Sequence, residues 1–99
     1  MFINVKKLNS KAKLPERATA TSAGADLCAC IDDDVVLMPG DRKLIPTGLA
    51  IAVPTGYGGF VFARSGLSSK FGVSLANCVG VIDSDYRGEV KISVINHSD

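Results

Sequence analysis

The sequence predicts an all-β domain of the sandwich, jelly-roll or small-barrel type, and three observations favour this fold class. Hydrophobic residues make up 46% of the 99 residues, but the chain has only four Phe, two Tyr and no Trp. The core must therefore be built from Val, Ile, Leu and Ala, which is strand-like material. Proline and glycine interrupt the chain at short intervals, and no segment between them has a sustained helical period. Many short strands at such spacing are typical of this class.

The strand signals lie in short segments between these interruptions. In chain order, they are residues 2–5, 25–31, 35–37, 49–53, 60–62, 79–82 and 90–95. Within 49–53, the side chains of Leu49, Ile51 and Val53 fall on one face because side chains alternate along a strand. The last segment, 90–95, has the clearest alternation of this kind.

Turns and one short helix complete the predicted element order. Pro39 and Gly40 predict a turn over 38–41, and three glycines predict a turn over 55–59. Only residues 65–71 indicate a helical turn. No linker, repeat or low-complexity segment divides the chain, so a single domain over 1–99 is expected.

The end of the sequence is unusual for a sheet protein. The chain stops directly after the strand 90–95, without a closing partner for that strand. An unpaired edge is a liability that proteins usually cover. We therefore expect either a chain that lacks its C-terminal strands or an edge that another subunit covers.

Charge and cysteine usage limit the class of partner and the compartment. The net charge of +1 gives no general attraction to nucleic acid or to a membrane surface, so a local site must hold any anionic ligand. The longest apolar stretch, residues 49–54, is too short to span a bilayer.

The chain has three cysteines, Cys28, Cys30 and Cys78, and shows no signal peptide. An odd number of cysteines without a signal peptide favours free thiols in the cytoplasm. A chain this short and apolar also favours an oligomer.

Two segments carry charged residues in positions that packing alone does not explain. Asp26 follows small residues at a predicted strand start, where it suits a turn or a cap as well as a ligand site. Arg64, Ser65 and Gly66 join a strand to a helical turn. They offer a permanent positive charge, a hydroxyl and free backbone N–H groups, which together suit phosphate oxygens. The alternative is an arginine paired with an acid beside an ordinary helix start.

A third segment places two acids and an aromatic ring on one turn. Asp83 follows apolar residues, so its carboxylate is expected beside a low-dielectric wall, which favours a general base. Tyr86 offers a flat face against which a sugar or a base can pack. Asp83 and Asp85 also suit a simple turn motif, and for Asp85 that interpretation is preferred.

These segments resemble motifs of a known family. Ala-Gly-Ala-Asp-Leu at 23–27, Arg-Ser-Gly-Leu at 64–67 and Gly-Val-Ile-Asp-Ser-Asp-Tyr-Arg-Gly at 80–88 resemble, in this order, the first three of five dUTPase motifs. The third motif is long and specific, and the resemblance extends over nearly the whole chain. The sequence departs from the pattern at Ala63, where the family usually has proline, and in lacking the fourth and fifth motifs.

The resemblance implies a fold, an assembly and a phosphate site. The fold is a distorted jelly roll of the β-clip type, here C-terminally truncated, which forms a homotrimer with active sites at subunit interfaces. A Mg²⁺ ion chelates the triphosphate, and Asp26 would order the water shell of that ion. Arg64, Ser65 and Gly66 would hold the phosphates.

The resemblance also implies how the base, the sugar and the reacting water are handled. Asn77 would begin the segment that pairs with the uracil edge. Asp83 would activate the water that attacks the α-phosphorus. Tyr86 would pack against the deoxyribose and exclude a 2′-hydroxyl group by its bulk.

The implied function is hydrolysis of dUTP to dUMP and pyrophosphate. This reaction limits uracil incorporation into DNA and supplies dUMP for thymidylate synthesis. Two alternatives remain open at this stage. One is a dCTP deaminase-like enzyme, which shares the fold and the class of ligand. The other is a non-catalytic nucleotide-binding or trimer-forming fragment, because two motifs are absent.

Overall fold

The computed structural model describes residues 1–99 and contains seven strands and one helix. The elements are β1 (Asn4–Lys7), β2 (Arg42–Pro46), β3 (Leu49–Ala52), β4 (Gly59–Val61), α1 (Ser65–Phe71), β5 (Val73–Leu75), β6 (Gly80–Ile82) and β7 (Lys91–Asn96). The prediction of an all-β fold with one helical turn at 65–71 is confirmed. The single helix has only seven residues and cannot span a membrane.

The strands form three small antiparallel sheets instead of one large one. The strand orders are β1-β3, β2-β7-β5 and β4-β6. No two consecutive strands therefore pair with each other, as expected for the jelly-roll and β-clip type. β5 and β6 are an example: β5 pairs with β7 in one sheet, whereas β6, the next strand along the chain, pairs with β4 in another.

The final strand has two partners, which corrects the expectation that it lacks one. β7 lies in the middle of its sheet and pairs with β2 on one side and with β5 on the other. Asn96 holds its end, because the side-chain amide donates to the Leu37 carbonyl at 2.8 Å. The backbone N–H of Asn96 donates to the Asp41 carbonyl at 3.0 Å.

Two predicted strands are absent. Within 25–31, only Asp26 makes a bridge, with Glu16, and Cys30 donates one hydrogen bond to the Pro46 carbonyl. Pro46 has no N–H group to return that bond, so the ladder cannot extend. Within 35–37, side chains take the carbonyls that a strand would need, since Lys43 binds the carbonyl of Val36 and Asn96 that of Leu37.

Other boundaries are closer to the prediction. β1 begins two residues later than predicted, and β2 and β5 were not predicted. The turn at 38–41 is confirmed by a hydrogen bond from Asp41 N–H to the Met38 carbonyl at 2.9 Å. The helix ends at Gly72, whose φ of 67° is left-handed and favours glycine.

The core is small and apolar. Val53, Ile82 and Val90 are buried together, and partly buried side chains surround them: Leu27, Ile51, Val61 and Ile92. Only 9 of the 99 residues are buried, and many large apolar side chains stay exposed. The single chain therefore leaves much apolar surface open to water.

One buried polar residue joins the loop before β3 to the start of β7. Thr47 is 1% exposed, and its hydroxyl donates to the Val90 carbonyl at 2.6 Å. The same oxygen accepts from the Leu49 N–H at 3.3 Å. In return, the Val90 N–H donates to the Leu49 carbonyl at 2.8 Å. We call this set of contacts the Thr47–Val90 clamp.

We expect Thr47→Val to lower the free energy of unfolding by about 1–3 kcal/mol, because the isosteric change removes the hydroxyl from a buried network. Urea denaturation measures the change. Thr55→Val is a matched control, because Thr55 is exposed and its substitution should alter stability by no more than about 0.5 kcal/mol. Equal effects of the two substitutions would contradict a special role for the clamp.

Candidate active site

A groove of about 220 Å³ runs beside β6 and the turn that follows it. Its walls are mainly apolar side chains of β6, β7 and the ends of β4 and β5. The polar residues that line it are Asn77, Asp83, Tyr86, Glu89, Lys91 and Ser93. The groove thus brings together three of the residues that the sequence singled out.

Asp83 is the first residue after β6. Ile82 directly before it is buried, but Asp83 itself is exposed. The carboxylate makes no hydrogen bond or ion pair within the chain, so it is available to a ligand or to water. In the single chain, Asp83 thus follows a buried apolar residue, as the sequence indicated, but its own side chain is open to solvent.

The turn after Asp83 is braced by its own backbone and by Arg87. Tyr86 N–H donates to the Asp83 carbonyl at 3.1 Å. The Arg87 guanidinium donates to the carbonyls of Ser84 at 2.7 Å and Tyr86 at 3.0 Å. These bonds hold Asp83 and Tyr86 at the two ends of one rigid turn.

Tyr86 is partly exposed and fixed at its tip. The residue is 45% exposed to solvent, and its hydroxyl donates to the Glu89 carbonyl at 2.7 Å. The hydroxyl is thus fixed by a hydrogen bond within the chain, while Tyr86 also lines the groove.

Asn77 lies in the tight loop between β5 and β6. Its carbonyl accepts from Val79 N–H at 2.7 Å, and Cys78 next to it has a left-handed φ of 65°. This loop turns the chain from one sheet to another. The exposed Asn77 side chain lies near Gly80, within the lining of the groove.

The other predicted residues form a separate group, which we call the Arg64 cluster: Asp26, Arg64, Ser65 and Gly66. The Arg64 guanidinium contacts the Asp26 carboxylate at 2.8 Å, with the two side chains 64% and 40% exposed. Ser65 and Gly66 begin α1. No side chain caps the start of this helix, so its first N–H groups are free to bind a ligand.

No member of the Arg64 cluster lines the groove. Sequence reasoning missed Glu89, Lys91 and Ser93 as groove residues. The alternation of 90–95 places Lys91 and Ser93 on one face, so the signal was present. That this segment borders the groove depends on the non-local pairing of β7, which the sequence does not reveal.

Comparison with known proteins decides the family. The family model described as dUTPase matches residues 10–99. The deoxyuridine 5′-triphosphate nucleotidohydrolase of Syntrophotalea carbinolica is 54% identical over 97 residues, which cover 98% of this chain and 66% of that protein. The protein of the same name from Desulfitobacterium hafniense is 60% identical over 85 residues, covering 85% of this chain and 56% of that one. The chain belongs to the dUTPase family.

Solved dUTPase structures have the same fold. The dUTPase from phage phi11 of S. aureus superimposes with a TM-score of 0.90 at 34% identity, covering 100% of this chain and 62% of that one. The structure of a mutant of that phage enzyme shows how a structural Mg(II) ion is coordinated. A mutant of the Staphylococcus bacteriophage 80alpha dUTPase, solved with dUpNHpp, has a TM-score of 0.89 at 36% identity, covering 99% of this chain and 56% of that one.

The chain spans between about half and two thirds of the length of these dUTPases, with shares of 66% and 56% for the two bacterial relatives. The jelly-roll and β-clip assignment is confirmed by the phage structures, since each superimposes over nearly the whole chain.

We expect Arg64→Ala to lower the free energy of unfolding by less than about 1 kcal/mol, because an exposed ion pair contributes little to stability. Denaturation in urea at low and high salt measures this. Lys11→Ala is the matched control, because it removes the other exposed pair, Lys11–Asp32. A much larger loss for Arg64→Ala would mean that the residue maintains the fold and is not free to serve a ligand.

Proposed function

We propose that this protein hydrolyses dUTP to dUMP and pyrophosphate, and so limits uracil incorporation into DNA and supplies dUMP for thymidylate synthesis. The observation that carries the proposal is the pairing of a free carboxylate, Asp83, with a held aromatic ring, Tyr86, on one turn of a dUTPase-family chain. Asn77 faces the same groove and supplies an amide that can both donate and accept hydrogen bonds.

Each groove residue has a role that its chemistry suits. Asp83 makes no internal contact, so its carboxylate can accept a proton from the attacking water as a general base. Asn77 suits the edge of uracil, because an amide matched to uracil leaves polar groups unpaired against cytosine. The ring of Tyr86 suits the apolar face of the deoxyribose, where a 2′-hydroxyl would collide with it.

The Arg64 cluster suits the phosphates. Arg64 is exposed and permanently charged, and the free N–H groups at Ser65 and Gly66 can donate to phosphate oxygens. Asp26 already neutralises part of the Arg64 charge, so binding of a triphosphate has to compete with that pair. The competition is weak, because exposed ion pairs are worth little.

The donor set suits a Mg²⁺ ion that arrives with the nucleotide. No group of three or more His, Cys, Asp or Glu side chains comes together, so the chain has no cage of its own. Mg²⁺ usually keeps several waters and binds through one or two carboxylates together with substrate phosphates. When bound, it would neutralise charge on the triphosphate, and Asp26 is the residue proposed to contact its water shell.

The deaminase alternative is less well supported. The two bacterial relatives, at 54% and 60% identity, carry the name of a nucleotidohydrolase. A related phage dUTPase was also solved with dUpNHpp.

The cysteines bear on the compartment. Free thiols at Cys28, Cys30 and Cys78 suit a reducing compartment, and we propose the cytoplasm.

We further propose a homotrimer with its active sites between subunits. Two features support it. The chain, which we take as one domain over 1–99, buries only 9 residues and leaves many large apolar side chains exposed. No member of the Arg64 cluster lines the groove of the same chain, which suits a site that two copies complete together.

We expect Asp83→Asn to keep binding of dUTP but to lower its turnover by roughly 10²–10⁴-fold, because a positioned general base is lost. Release of pyrophosphate measures the rate. Asp85→Asn is the matched control, since Asp85 is an exposed acid of the same turn and makes no contact of its own. Turnover by Asp83→Asn close to that of the unaltered protein would exclude Asp83 as the base.

Sites between subunits predict complementation. Chains with Asp83→Asn and chains with Arg64→Ala are each expected to be nearly inactive. After joint unfolding and refolding in a 1:1 mixture, about a quarter of the sites should combine an intact Asp83 with an intact Arg64. Pyrophosphate release should then exceed that of either chain alone. No recovery, in a mixture shown by sedimentation to be trimeric, would contradict a site shared between subunits.

A further inference from the structure

The ring of Tyr86 occupies the place where a side chain of residue 88 would lie. A Cβ atom built on Gly88 would be 2.7 Å from the Tyr86 hydroxyl oxygen and 2.9 Å from Cζ. Real Cβ atoms do not approach other atoms so closely, so the ring would have to move. The backbone of Gly88 is not in the left-handed region. Glycine therefore leaves the space that the ring occupies, and a side chain at this position would displace the ring.

Glu89 completes this support from the other side. Its carbonyl accepts the Tyr86 hydroxyl at 2.7 Å, and its carboxylate accepts the Gly48 N–H at 3.1 Å. The next residue, Val90, belongs to the Thr47–Val90 clamp. Gly88 and Glu89, which we call the tyrosine seat, are therefore attached to the best-buried part of the chain.

We propose that Gly88 and Glu89 are positioning residues that fix the Tyr86 ring and thereby set the selection against ribonucleotides. The inference rests on the proposed function, in which Tyr86 packs against the deoxyribose. A bulky group rejects a 2′-hydroxyl only if it cannot move away, and an exposed tyrosine without a seat can rotate about its χ1 and χ2 bonds. The seat restricts that freedom by a hydrogen bond at Glu89, while Gly88 leaves room for the ring in this position.

The test compares binding of dUMP and of UMP by the same protein, because dissociation constants do not depend on turnover. Gly88→Ala adds one methyl group under the ring, and Tyr86→Phe removes only the hydroxyl. We expect each to lower the preference for dUMP over UMP by about two- to tenfold, which is the range that one hydrogen bond commands. Gly24→Ala is the matched control, since a Cβ there meets no atom within 4 Å, and the preference should not change.

Variants at Glu89 separate positioning from stability. Glu89→Gln keeps an oxygen that can accept the Gly48 N–H, whereas Glu89→Ala does not. We expect the preference for dUMP to be kept by Glu89→Gln and lowered by Glu89→Ala. Thermal unfolding is measured alongside, because a merely structural role would lower the midpoint without moving the ratio of the two dissociation constants.

The possible failures are distinguishable. If the unaltered protein binds dUMP and UMP equally well, the proposed role of Tyr86 is wrong and the seat has no function. If the unaltered protein prefers dUMP but Gly88→Ala and Tyr86→Phe keep the same ratio, the proposed function stands and the seat proposal is overturned. If Gly88→Ala does not fold, Tyr86→Phe decides alone, because it adds no atom.

Discussion

The Thr47–Val90 clamp is the contact on which the rest of the structure depends. A hydroxyl that is 1% exposed must have a partner, because an unpaired buried polar group is unfavourable by about 1–3 kcal/mol. Thr47 meets this need through the Val90 carbonyl at 2.6 Å, which fixes the start of β7 against the loop between β2 and β3. Because β7 is the middle strand of its sheet, the same contact places β2 and β5 as well. Glu89, one residue before, is held by the Gly48 N–H.

Local sequence signals predicted the elements that local interactions determine. The helix Ser65–Phe71 ends where Gly72 adopts a left-handed conformation, and Pro39 and Gly40 favour the turn at 38–41. The segment 25–31 failed because strand formation needs a partner with free N–H and carbonyl groups. Pro46, whose carbonyl accepts from the Cys30 N–H, has no N–H group to donate in return. β7 was recognised as a strand, but its central position was not, since its partners are distant in sequence.

The roles of the candidate site residues stay predictions, and the structure shows where a single chain places these residues. Motif resemblance identified Asp83 and Tyr86 as neighbours, and both line one groove. The resemblance also assigned Arg64 to a site between subunits, and within one chain Arg64 pairs with Asp26 and does not line the groove. Spacing along the sequence cannot reveal which residues line one groove, because three small sheets distribute consecutive strands in different directions. Glu89 was missed for a related reason, since its importance arises from contact with the distant Gly48.

The exposure of the charged groups links the fold to the proposed assembly. In water, two unit charges 4 Å apart interact by only about 1 kcal/mol, and by about 4 kcal/mol where the effective dielectric constant is near 20. Asp83 and Arg64 are both exposed in the single chain, so each would act on a phosphate or a water at the weak end of this range. A chain that buries 9 residues cannot enclose such groups itself. Apolar surface from a second copy would exclude water from the groove and strengthen these charge contacts. Under the proposed trimer, burial of exposed apolar side chains and completion of the site are therefore one event: the contacts that stabilise the assembly also create the environment that catalysis needs.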